Sequence, residues 1–108
     1  MPKFTRGDIV NVFSPHADDA GESRHPALIV GDPLENTNGD YILVQITSKP
    51  WHGRTDVALN VSDPEFSRTG LKVASSVRCH KLFPLVEDRV RRKIGSAGPN
   101  TMKQIAPL

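Results

Sequence analysis

Six short apolar segments, each four to seven residues long, leave this chain few folds to choose from. Gly, Pro, Asn, Asp and Ser cluster between them, so no segment can grow into a long helix. Ile9-Val10-Asn11-Val12-Phe13, rich in β-branched residues, follows the turn Arg6-Gly7-Asp8 and reads as a first strand. A loop runs from Ser14 to Gly21. Pro26 stands at the start of the second strand, Ala27–Val30, a continuous apolar run suited to a sheet interior. Asn38-Gly39 is a hairpin signal and leads into a third, central strand, Tyr41–Ile46. Asp56–Val61 alternates, with Val57, Leu59 and Val61 on one face and Asp56, Ala58 and Asn60 on the other. Ser62-Asp63-Pro64 breaks it, and Gly70–Val73 and Val77–Phe83 complete the set.

The pattern changes after Pro84. Val86, Val90 and Ile94 recur at helical spacing, with Gly95 where a C-cap belongs. Glu87 and Asp88 near the start of that helix, and Arg91, Arg92 and Lys93 near its end, suit its macrodipole. After Gly98-Pro99, Asn100 caps one last short turn that returns Met102 and Ile105 to the core. The expected fold is therefore mainly β, a small and strongly bent sheet or barrel with a C-terminal helix. At 108 residues it is one domain, 1–108.

Composition narrows the function. Apolar content of 37% and charged content of 24% describe an ordinary globular chain. No apolar run approaches the roughly 20 residues that cross a bilayer, so no membrane association is expected. The first residues lack the apolar stretch of a signal peptide, and a lone cysteine, Cys79, makes no internal disulfide. The expected compartment is the cytoplasm. The net charge of +2 hides an asymmetry: five Lys/Arg against ten Asp/Glu through Ser67, then nine against two from Arg68 onward. A basic second half suits a polyanion-binding face; it equally describes solvated surface.

No metal or cofactor is expected. His16, His25, His52 and His80 are scattered, and Cys79-His80 lacks the spacing of a zinc site. There is no phosphate-binding glycine loop, dinucleotide fingerprint or nucleophile elbow. What remains is a pairing of strand ends. Glu22-Ser23-Arg24-His25 leads into the second strand, and Thr47-Ser48 closes the third. A cation, an imidazole and two hydroxyls suit the handling of a phosphate, provided the two ends meet.

At these residues the chain resembles the MazF/PemK (Kid, CcdB-like) toxins of bacterial type II toxin–antitoxin pairs. Gly7-Asp8-Ile9-Val10 matches the family's opening strand, and His25-Pro26-Ala27-Leu28-Ile29-Val30 its Arg-Pro-Ala/Val strand. Ile46-Thr47-Ser48 matches the next strand end. Gly70-Leu71, Ser76, Val77-Arg78-Cys79-His80-Lys81-Leu82 and Lys93-Ile94-Gly95 follow in the family's order. The resemblance implies an SH3-like small β-barrel with appended helices, usually a homodimer. It further implies a metal-independent, sequence-preferring endoribonuclease on single-stranded RNA. The RNA's 2′-hydroxyl is the nucleophile, and the products are a 2′,3′-cyclic phosphate and a 5′-hydroxyl. The partner would be an antitoxin, a short acidic or disordered segment across the substrate groove.

The family's catalytic arginine precedes the proline; here that position is His25, and Arg24 lies one residue earlier. Neighbouring side chains of an extended segment point to opposite faces, so Arg24 replaces the family arginine only if the backbone bends. The candidate catalytic residues are His25 as general acid or base, Arg24 as phosphate clamp, and Thr47 with Ser48 as hydroxyl donors. Imidazole, which titrates near neutral pH, suits proton transfer better than guanidinium does. Candidate substrate contacts are Glu22, Trp51, His52, Arg54, Arg78 and Lys81. Trp51 either stacks on an RNA base or folds back onto the barrel. Arg78 and Lys81, three apart, fall on opposite faces of a regular strand. Cys79 reads as a buried small residue. The alternative function is a catalytically silent barrel of the same fold that binds nucleic acid or protein.

Overall fold

The period-2 segments form six antiparallel strands in a computed structural model that describes residues 3–13, 24–31, 40–48 and 56–105. The side chains of Phe13, Arg24, His80 and Lys81 lie outside the described set. The strands are β1 (Asp8–Phe13), β2 (Arg24–Gly31), β3 (Tyr41–Thr47), β4 (Asp56–Leu59), β5 (Ser75–Leu85) and β6 (Val90–Ser96). One helix, α1 (Pro99–Ile105), follows. The sheet order is β4-β5-β3-β2-β1-β6, which puts β3 and β2 at its centre. The protein is thus mostly β with one C-terminal helix. Met102 and Ile105 return to the core as expected, and Cys79 is buried.

Alternation splits the apolar residues between two faces. Ile9, Leu28, Val44, Ile46, Val57, Leu59, Val77 and Cys79 form one cluster, closed by Ala97 and Ile105 around α1. Val10, Val12, Ala27, Ile29, Tyr41, Leu43 and Val90 form the other, covered by Phe4, Phe83 and Leu85. Each fully buried Leu, Ile or Val contributes about 1.5–3 kcal/mol, so both faces hold the sheet.

Several expectations fail. Residues 86–95 are not a helix: a 3-10 turn spans Glu87–Arg89, and Val90–Ser96 is the edge strand β6, paired with β1. Irregularities between Ile9 and Val10 and between Asn11 and Val12 interrupt that pairing. Gly70–Val73 is not a strand either. Gly70, at φ 75°, caps a 3-10 turn at Phe66–Thr69, and Val73 is exposed. Likewise β4 stops at Leu59, so Val61 lies in a turn, 63% exposed, rather than in the core.

Two glycines allow the Phe66–Thr69 turn to sit directly on β6. A Cβ at Gly95 would overlap the carbonyl groups of Thr69 and Arg68, and one at Gly70 would overlap the carbonyl of Ile94. The start of α1 is capped by Glu65 rather than Asn100. Its carboxylate accepts the N–H of Asn100 at 3.2 Å and of Thr101 at 3.3 Å, with Pro99 at the first helical position. Glu87, expected at a helix start, instead clasps the N-terminal segment. It accepts the Lys3 N–H and the Tyr41 hydroxyl, both at 2.9 Å, while Tyr41 Oη accepts the Phe4 N–H at 3.1 Å.

Candidate active site

The sheet register decides whether the two strand ends meet. β2 and β3 pair as Ile29↔Leu43, Leu28↔Val44 and Ala27↔Gln45, where their ladder ends. Pro26, with no N–H to donate, is the next residue on β2. Continuing the same count by two residues brings His25 level with Thr47. Both lie an even number of steps from the Ala27↔Gln45 pair, so both belong to the same face. The other neighbour of β2 agrees: His25 is opposite Val12, a member of the second core cluster.

β5 and β4 extend this face. Thr47 pairs with Ser76, and Ser76 with Ala58. One level further in, Gln45 pairs with Arg78, and Arg78 with Asp56. The face therefore passes from a buried apolar half, Val10 to Leu43, into a polar half of His25, Gln45, Thr47, Ser76, Arg78 and Asp56. All six polar residues are half-buried. Both carboxylate oxygens of Asp56 and Nε of Arg78 are withdrawn from solvent. Ser48 follows the end of β3 and is exposed.

The β1–β2 register runs unbroken from Ile9↔Leu28 to Phe13↔Arg24. The backbone thus makes no bulge at Arg24, the bend that would put it in phase with Thr47. His25 holds that position. In β5, by contrast, the register jumps: Gln45 faces Arg78 but Val44 faces Leu82, so Cys79, His80 and Lys81 bulge out of the ladder. The regular strand assumed for Arg78 and Lys81 is interrupted between them. Glu22, Trp51, His52 and Arg54 lie outside the described residues, as do the loop at 14–21 and the Asn38-Gly39 turn.

Gln45, Ser76 and Asp56 were not singled out as site residues from the sequence. The alternation of β4 already put Asp56 on a polar face, but only the strand register shows what that face adjoins. Burial, with a smaller contribution from the charge of Asp56, pushes the Cys79 thiol above its ordinary value, so it is not poised as a nucleophile. The exposed cations Arg89, Arg91, Arg92 and Lys93 lie on the second 3-10 turn and the edge strand. Charged side chains there discourage pairing with another chain. Lys93 reaches the buried Asp8 carboxylate at 3.2 Å. Among the described residues no group of three His, Cys, Asp or Glu could hold a metal ion, and no helix is long and apolar enough to cross a membrane.

Known structures share this architecture. An endoribonuclease from a mycobacterial species, solved with its cognate antitoxin, superimposes with a TM-score of 0.69 at 24% identity, covering 95% of this chain and 87% of its own. MazF from Deinococcus radiodurans gives 0.70 at 19% identity, covering 96% and 90%. The Mycobacterium tuberculosis toxin MazF-mt6 gives 0.69 at 17% identity, covering 93% and 89%. No curated protein sequence matches the chain. A family model for PemK-like, MazF-like toxins of type II toxin–antitoxin systems matches residues 5–107. Nearly the whole sequence satisfies that model, and the chain belongs to the PemK-like, MazF-like toxin family.

Proposed function

We propose that this protein is the toxin of a type II toxin–antitoxin pair and cleaves single-stranded RNA without a metal, using the RNA's 2′-hydroxyl as nucleophile. The strand register carries the reading: in a chain of this family, the β2–β3 pairing, continued two residues past its last pair Ala27↔Gln45, puts His25 level with Thr47 on one face. Attack by a 2′-hydroxyl needs a proton acceptor, a donor to the leaving 5′-oxygen, and stabilisation of the charge gathering on the phosphorus oxygens. His25 exchanges the proton. Thr47 and Ser48 donate hydrogen bonds to phosphate oxygens, and Arg24, out of phase with His25 at the first position of β2, reaches the phosphate only around the strand end. Arg78 and Lys81 on β5, with Glu22, Trp51, His52 and Arg54 from the loops, contact the rest of the strand.

We read the bent sheet as an SH3-like barrel that works as a cytoplasmic homodimer. An acidic antitoxin segment occupies the RNA groove, attracted by the basic second half of the chain. The mycobacterial relative solved with its antitoxin supports such a partner.

The test is cleavage in EDTA of an RNA beside the same sequence with 2′-deoxy sugars throughout. RNA alone should be cut, leaving a cyclic phosphate. His25→Ala should lower the rate by about 10²–10⁴, the range of general acid–base catalysis. A demand for metal, or cutting of both strands, would overturn the mechanism. Binding without any cutting would favour the silent barrel. Full activity in His25→Ala with loss in Arg24→Ala would reverse the two roles.

A further inference from the structure

We infer that Asp56 is a positioning residue that orients Arg78 toward the phosphodiester backbone of the substrate; this rests on Arg78 being a substrate contact, as proposed above. Arg78 stands where its pairing with β3 breaks off. Among the described residues Asp56↔Arg78 is the outermost β4–β5 pair, and the β3–β5 ladder breaks directly beyond Gln45↔Arg78. On the far side lies the Cys79–Lys81 bulge. Toward β3, backbone pairing therefore fixes one flank of this position only, and the long arginine side chain needs lateral contacts to keep one direction.

The register supplies them. Asp56 is directly opposite on β4 and Gln45 directly opposite on β3, so a carboxylate and an amide flank the guanidinium on its own face. Burial agrees: Nε of Arg78 and both Asp56 oxygens are withdrawn from solvent, while Arg78 as a whole stays half-buried. The exposure it keeps lies elsewhere than at Nε. A guanidinium is flat and has two hydrogen-bonding edges, so one edge can face the carboxylate while the other meets a phosphate in bidentate fashion. Lysine has no second edge. Asp56 also lies close enough to β5 for its charge to help raise the neighbouring Cys79 thiol.

The experiment is a double-mutant cycle on the full chain with Asp56→Asn, Arg78→Lys and both together. Three quantities are read: kcat and KM on RNA, binding of a uniformly 2′-deoxy oligonucleotide, and urea unfolding. Asp56→Asn should weaken oligonucleotide binding and kcat/KM about tenfold, a coupling typical of contacting residues. In the Arg78→Lys background it should add nothing to either loss, although its effect on unfolding persists. Asp56→Glu, which keeps the charge, should retain more binding than Asp56→Asn and serves if the amide variant folds poorly. Equal losses from Asp56→Asn in both backgrounds, or an altered unfolding midpoint with unaltered binding, would overturn the inference. A wild-type protein that binds but never cleaves refutes only the ribonuclease reading, because the binding cycle still reports on Asp56. If the wild-type protein binds neither oligonucleotide, both readings fall.

Discussion

Replacing Gly95 by Ala should be among the most damaging single-methyl changes in this protein. Gly95 does not have a positive φ; among the described residues only Gly7 and Gly70 do. Its importance therefore comes from what a Cβ would strike. That atom would overlap the carbonyl carbon and oxygen of Thr69 and the carbonyl oxygen of Arg68. These are backbone atoms of a turn whose Thr69 side chain is itself fixed, with Oγ1 donating to the Phe66 carbonyl at 2.7 Å and accepting the Leu71 N–H at 3.1 Å. Nothing there can swing aside as a flexible side chain would. Overpacking of this kind costs about 1–3 kcal/mol, and a rigid neighbour puts it at the upper end. Against that, removing a glycine's freedom from the unfolded chain returns about 0.4–1 kcal/mol. The net loss is about 2 kcal/mol, which for a domain of this size lowers Tm by roughly 10 °C.

Thermal and urea unfolding of three variants check the reasoning. Gly70→Ala should be worst, because its Cβ would overlap the Ile94 carbonyl and its φ is 75°. Gly7→Ala, with φ 96° but nothing within 4 Å, should lose only the backbone term of about 1–2 kcal/mol, partly offset as above. The Gly70→Ala/Gly95→Ala double variant should lose less than the sum, since both methyls force open one contact. A neutral or stabilised Gly95→Ala, or a Gly7→Ala worse than it, would refute the close approach of the turn to β6.

Glu65→Ala should cost about 1–2 kcal/mol by uncapping α1, and amide exchange at Asn100 and Thr101 should accelerate before exchange in the sheet does; uniform acceleration would contradict a local role. The clasp on the N-terminal segment should be sensitive to pH at both ends. The Lys3 N–H, then the Tyr41 hydroxyl, hold Glu87 below its ordinary carboxylate value, so its stabilisation is present above that value and fades as acid protonates it. Burial chiefly raises Tyr41, so its contribution is full below the ordinary phenol value and is lost as pH rises through the folded one. Tyr41→Phe should shrink the alkaline limb of the stability–pH curve, leaving the part carried by the buried Cys79 thiol, and shrink, without removing, the acid limb. An unchanged acid limb would mean the hydroxyl does not matter to Glu87.

Some of this was legible from residue order and some was not, for identifiable reasons. The four strands through Leu59 could be read because Ile9–Phe13, Ala27–Val30, Tyr41–Ile46 and Asp56–Leu59 carry β-branched or alternating residues between clear breakers. Residues 86–95 misled because a spacing of four is even. Val86, Val90 and Ile94 satisfy a helical period and a period of two alike, and Arg91-Arg92-Lys93 left no apolar alternation to separate them. The charges of Glu87 and Asp88 then agreed with a macrodipole that does not exist there. Gly70 looked like a strand start because no local signal marks a 3-10 turn. At the site, the face of His25 followed from simple alternation. The neighbourhood of Arg78 did not, because Asp56 reaches it only through a strand pairing 22 residues distant in sequence, beside a bulge that alternation cannot foresee.

The unbroken β1–β2 register has a consequence for how this site can change over generations. Five successive pairs from Ile9↔Leu28 to Phe13↔Arg24 tie position 25 to Val12, and Val12 to the core. An insertion or deletion between Pro26 and Gly31 would turn Ala27 or Ile29 out of the core and Leu28 away from its own, whereas loss of His25 itself would bring Arg24 opposite Val12 and leave those residues in place. Gains and losses ahead of Pro26 leave the core pairing untouched, whereas deeper in the strand they turn it inside out. The side chain opposite Val12 can therefore be exchanged by substitution at residue 25 or by loss of one residue at the strand's start, so the scaffold conserves an address while the chemistry delivered to it remains open to replacement.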